Sequence, residues 1–114
     1  MNTINDLKIY RKGIDLYYMC YKLIFSYPEL SREFAIRDQL KRASLSVPLN
    51  IMEGFATSKK RFANFLVIAI GSANETVLLL QIVEDLLDID TKELREEYMI
   101  LVRQLQSLRK KLSN

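Results

Sequence analysis

The residues with chemical potential are concentrated in one stretch, Gln39 to Glu75. It carries two glutamates, Glu53 and Glu75, among Ser44, Ser46, Asn50, Ser72 and Asn74. Paired carboxylates on facing helices are the raw material of a di-metal site, but such sites add Glu-x-x-His pairs, and this chain has no histidine. The same absence removes the commonest general base and every Ser-His or Cys-His nucleophile pair. No catalytic residue set and no metal set converges, so the expectation is a non-enzyme that needs no cofactor. Glu53 and Glu75 then read as polar staples that fix helix register. The lone Cys20 cannot close an internal disulfide, which fits a reducing compartment.

Apolar periodicity supplies the elements that must position these residues. It predicts helices over about 6–27, 31–57, 61–87 and 92–112 in one domain covering 1–114. In the first, Leu7, Tyr10, Ile14, Tyr17, Tyr21 and Ile24 recur at helical steps up to the break at Pro28. The second starts at Ser31, with Glu33 behind it, and turns Ile36, Leu40, Ala43, Val47 and Phe55 inward. The third is apolar almost all round and is expected to be buried. After a capping turn at Asp88-Ile89-Asp90-Thr91, the fourth carries a heptad seam of Leu94, Tyr98, Leu101, Leu105, Leu108 and Leu112. Three Gly and two Pro are too few for the turns of an all-β fold. Short connections between long helices make neighbours antiparallel, so the fold class is all-α, an antiparallel up-down-up-down four-helix bundle. A second stripe on the first helix, Ile9, Leu16 and Leu23 with Met19 and Cys20 alongside, is either a widening of the core-facing stripe or a subunit interface, and the interface is the favoured expectation.

Within the second helix Pro48 deletes the bond to the Ser44 carbonyl, a loss of about 3 kcal/mol if nothing compensates. Counting back from the turn near Ser58 sets Pro48 level with Gly71, where a glycine permits close approach of the third helix. Ser44, Ser46 and Asn50 then face Ser72, Asn74 and Glu75. The most apolar run, Phe65 to Ile70, is interrupted by Gly71, Ser72, Asn74 and Glu75 before it reaches a bilayer span. The start, MNTINDLKIYRK, lacks the basic-then-apolar order of a secretory signal. A cytoplasmic protein without a membrane partner is expected.

The run QLKRASLSVPLNIMEG (Gln39 to Gly54), followed by the F-x-x-F-L-x-x-A-x-G-S-x-x-E pattern from Phe62 to Glu75, resembles the four-helix-bundle family of 23S rRNA-intervening sequence proteins. Met52 stands where alanine is usual and Ala73 where leucine is usual, opposite volume changes that imply repacking. The resemblance implies a cyclic homo-oligomer, typically a pentamer, without established enzymatic activity. It also implies kinship with the accessory variability determinant of diversity-generating retroelements, which partners a reverse transcriptase and binds nucleic acid through basic surface. On the same resemblance Asn50, Glu53, Gly54, Gly71, Ser72 and Glu75 are architectural.

The net charge of +3 is small, but the bundle topology segregates it. Lys8, Arg11, Lys12, Lys59, Lys60, Arg61, Arg109, Lys110 and Lys111 fall at one end, near Asp6 and Asp15 alone. Glu29, Glu33, Asp38, Glu84, Asp85, Asp88, Asp90, Glu93, Glu96 and Glu97 fall at the other. Helix dipoles favour acids at N-termini and bases at C-termini, which accounts for the fourth helix but runs against the third. The basic end is the candidate surface for RNA or DNA phosphates. The tyrosines of the first helix lie at core spacing and give no support for base stacking. The expected function is a nucleic-acid-binding accessory protein; the alternative is a protein-interaction scaffold with no nucleic-acid partner.

Overall fold

The computed structural model describes Ile4 and residues 7–113. Helices follow in the order α1 (Lys8–Ser26), α2 (Pro28–Ser31), α3 (Phe34–Phe55), α4 (Lys59–Leu87) and α5 (Lys92–Leu112), and no strand occurs among the described residues. Four helices are long and one is a single turn. The expected start of the first helix, at Asp6, lies outside the described residues. The molecule measures 44 × 20 × 20 Å. At 1.5 Å per residue α4 alone spans about 43 Å, so one helix sets the long dimension.

Proline makes the expected break after the first helix and opens a single-turn helix that periodicity did not show. Tyr27, ahead of Pro28, is extended (φ −124°, ψ 107°), and Pro28 opens α2 at the one helical turn that needs no N–H. Leu30 drops into the core from α2 with no exposed surface. Ser31 therefore ends α2 and does not start the next helix. The helix after it begins at Phe34 behind Glu33, without a side-chain cap. Further on, Ser58 caps α4, its Oγ accepting from the Arg61 N–H at 3.3 Å. Asp88 (φ 58°) closes α4 in the left-handed region. Asp90, not Thr91, caps the start of α5 by accepting the Lys92 N–H at 3.0 Å.

α3 packs on α4, α4 on α5, and α1 lies against α3 and α5. Leu40, Val47, Ile51, Leu66, Leu80, Val83, Leu101 and Leu105 are fully buried between them. Each such side chain contributes about 1.5–3 kcal/mol of transfer free energy. The α5 seam is as expected: Leu94, Tyr98, Leu101 and Leu105 are buried, while Leu108 and Leu112 are half-buried.

Two faces differ from expectation. On α1 the buried stripe is Ile9, Gly13, Leu16, Cys20 and Ile24. Ile9 and Leu16 thus belong to the core and not to a subunit interface. Leu23 is half-buried, and only Met19 of that set is exposed. On this face Gly13 meets the buried Pro48 ring: a Cβ there would lie 3.5 Å from Pro48 Cβ and Cδ, an ordinary contact distance. Pro48 accordingly packs against α1, and Gly71 has nothing within 4 Å of its Cβ position. α4, in turn, is not buried all round. Ala69, Ala73, Leu80 and Val83 face the core, while Val67, Ile68, Leu78 and Leu86 are about half exposed. By length and composition Lys59–Leu87 is long and apolar enough to cross a bilayer. Small polar residues such as Gly71, Ser72 and Asn74 do not interrupt it as the sequence reading supposed.

Candidate nucleic-acid interface

The central motif assembles around the α3–α4 contact. Ser46 Oγ lies 2.8 Å from Ser72 Oγ, as the expected facing of the two helices requires. Asn50 Nδ2 donates to the Ser46 carbonyl and hydroxyl at 2.8 and 2.9 Å. Ser44 faces elsewhere: its buried hydroxyl donates to the Leu40 carbonyl at 2.6 Å. Near the connection α3 and α4 touch closely, because a Cβ on Gly54 would come 2.7 Å from Phe65 Cβ and 2.8 Å from Phe62 Cδ1. Phe55 and Phe62 meet edge-on there, with ring centroids 6.0 Å apart. Glu53 and Glu75 are both exposed, so they are not staples within the subunit. Among the described residues no group of three or more His, Cys, Asp or Glu is placed to hold a metal.

Cys20, expected beside an interface, is fully buried, with Sγ 3.5 Å from Tyr98 Oη. Burial pushes the thiol up to about 11, and burial likewise pushes the Tyr98 hydroxyl upward. A thiol held neutral is a poor nucleophile.

The α4–α5 junction explains one charge that runs against the helix dipole. Glu84 Oε1 accepts the Thr91 N–H at 2.9 Å and Arg95 Nη2 at 2.9 Å. Those two bonds, the backbone donor first, hold its carboxyl below the usual range. Thr91 Oγ1 donates back to the Leu80 carbonyl at 2.9 Å. Glu84 thus belongs to a turn clamp. Sequence reading missed it because its partners lie seven and eleven residues away, beyond any helical spacing.

The first turn of α4 and the last turn of α5 meet at one end, where Lys60, Ala63, Asn64, Leu112 and Ser113 line a common cleft. That places the exposed Lys59, Lys60 and Arg61 beside the exposed Arg109, Lys110 and Lys111. Gly13 sits at Pro48 while Lys41 approaches Tyr21 and Phe25, so α1 begins toward the Phe55 end of α3. Exposed Lys8 and Arg11 therefore lie toward this end too. Lys12 is half-buried and reaches Glu97 at 3.6 Å. It is committed to an ion pair, and Glu97 is drawn away from the acidic group.

A profile of the family described as 23S rRNA-intervening sequence protein matches residues 5–114. The chain belongs to that family. A crystal structure of a protein of unknown function from the S23 ribosomal protein family of Bacteroides thetaiotaomicron is similar over 91% of this chain and 94% of the other, at 26% identity and a TM-score of 0.65. No curated protein matches. For this member of the 23S rRNA-intervening sequence proteins, the two unusual positions do not compensate each other. Met52 is exposed, at 41%, and Ala73 is fully buried, so they do not share one space. Asn50 is half-buried and Glu53, Gly71 and Glu75 are exposed. Much of the shared motif therefore faces outward from the subunit.

Proposed function

We propose that the chain is a non-enzymatic accessory protein that binds RNA or DNA backbones through one basic end. In this reading the subunit is an antiparallel up-down-up-down four-helix bundle assembled into a cyclic homo-oligomer, with a pentamer favoured. The observation that carries the proposal is the cluster Lys59, Lys60, Arg61, Arg109, Lys110 and Lys111 on two adjoining helix ends. Cations at the start of α4 oppose its dipole, and no carboxylate lies in that first turn to offset them. An anionic polymer would relieve that repulsion. In a ring every basic end would point the same way and the fields would add.

Self-association is supported by the outward apolar face of α4. Val67, Ile68 and Leu78 flank Gly71 in sequence, and the open space above Gly71 would admit a second copy's backbone closely. This replaces the α1 stripe as the proposed interface. The partner proposed alongside is a reverse transcriptase of a diversity-generating retroelement; it rests on the resemblance of the Gln39–Glu75 run. The site of action proposed is the cytoplasm.

The test is charge reversal. Lys59→Glu, Lys60→Glu and Arg61→Glu together should weaken retention of structured RNA and duplex DNA at low salt while the solution mass stays the same. Undiminished binding by that variant, or no binding by the wild type, would reject the reading.

A further inference from the structure

Of the first-helix tyrosines expected in the core, Tyr10 and Tyr17 are half-buried, while Tyr21 is exposed and forms an aromatic ladder with Tyr18 and Phe25. We propose that this ladder, with the cations α3 sets beside it, is a stacking platform for single-stranded nucleic acid. Tyr18 is 59% exposed, Tyr21 46% and Phe25 51%, with Tyr17 half-buried among them. Their rings run as a continuous row, with centroids 6.1 Å apart from Tyr18 to Tyr17, 6.5 Å from Tyr17 to Tyr21 and 4.7 Å from Tyr21 to Phe25. Lys41 Nζ sits 5.9 Å from the centroids of both Tyr21 and Phe25. Arg37 lies 4.7 Å over the ring of the exposed Phe34 at the start of α3.

Exposed rings give up the burial that makes aromatics stabilising, so folding alone does not account for three of them in about two turns of α1. What a wet aromatic row offers is π-faces, and every nucleobase has a face to match. Lys41 is the cation set among the rings, where a phosphate beside stacked bases would meet it, and Arg37 beside Phe34 is shared with Asp38, whose Oδ1 accepts from its Nε at 2.9 Å. Lys22 lines a cleft with Asp90 and Glu93, and Arg42 one with Glu53, so neither belongs to the strip. Duplex bases are stacked on each other and cannot use such a surface, whereas a single strand presents its bases one by one. The row also leads away from the basic end: Tyr17 is nine residues beyond Lys8, about 13 Å along the helix. A strand held by its phosphates at that end would reach the ladder within a few nucleotides.

This inference rests on the nucleic-acid reading above and adds the class of strand. The experiment compares a labelled oligothymidylate with a duplex of matched length, by anisotropy, for the intact protein and for Y18A/Y21A/F25A. The variant should lose about tenfold or more in single-strand affinity, in line with stacking on aromatic side chains, while its duplex affinity and solution mass stay put. Tyrosine emission of the wild type should be quenched by the oligothymidylate and not by the duplex. Should the triple variant fail to fold, Tyr18→Leu and Phe25→Leu, which keep apolar area and remove the ring, should each show a smaller loss in the same direction. Equal single-strand affinity in wild type and variants overturns the ladder and leaves the basic end standing, as does a wild type that binds duplex alone. A drop in solution mass overturns it by making the ladder a subunit contact. A wild type that binds neither nucleic acid overturns both proposals.

Discussion

Replacing Gly54 by alanine probes the close approach of α3 and α4 near Phe55. The added Cβ would stand 2.7 Å from Phe65 Cβ and 2.8 Å from Phe62 Cδ1, inside any real carbon–carbon contact. Phe65 Cβ is fixed to the α4 backbone and cannot swing aside, so α3 and α4 must separate locally. Overpacking of this kind costs about 1–3 kcal/mol. Against it stands the helix propensity gained on replacing glycine, at most about 1 kcal/mol and less near a helix end such as Phe55. The net is a destabilisation of about 1–2 kcal/mol, which for a chain of this size lowers the melting temperature by about 4–8 °C. Thermal unfolding followed by far-ultraviolet circular dichroism measures it. A melting temperature equal to or above the wild type would refute the close approach and with it the described packing at the Phe55 end.

Gly71→Leu should leave the subunit's helix content unchanged, since nothing lies within 4 Å of its Cβ position, yet shift the solution mass toward smaller species; an unchanged mass would move the proposed interface elsewhere. Cys20 should resist thiol reagents in the native protein at pH 8 and react only on unfolding, because burial holds it neutral with a pKa of about 11. Rapid native labelling would contradict its placement. Glu84 has a folded pKa below its ordinary value, so its stabilisation is present at neutral pH and is lost as pH falls through the acid range. Glu84→Gln should therefore melt lower than wild type at pH 7, with the gap narrowing as the pH falls below the ordinary carboxylate range; a gap independent of pH would show that the clamp does not depend on charge.

How far the sequence carried depended on which physical signal it encoded. The α5 seam was legible because one stripe of leucines at heptad spacing meets one core. α1 was misread because aromatic mass resembles burial, while its core face includes Gly13, a residue with no hydrophobic signal, in contact with Pro48. Single-turn α2 has no period to detect. The Ser46–Ser72 contact followed from counting residues back from the turn. The same count failed for Pro48, because distance along the axis does not say which neighbouring helix a side chain faces. The basic end could be assembled from topology, whereas the Lys12–Glu97 pair could not. The exposed aromatics became visible only when the buried face of α1 was known.

The most direct measurement of the central claim is the salt dependence of binding to a duplex. If the six cations on the joined ends of α4 and α5 each neutralise a phosphate, log affinity should fall against log salt with a slope of about −5. Reversing Lys59, Lys60 and Arg61 should flatten it by about 3. A flat salt dependence, or no affinity even at low ionic strength, would contradict the account.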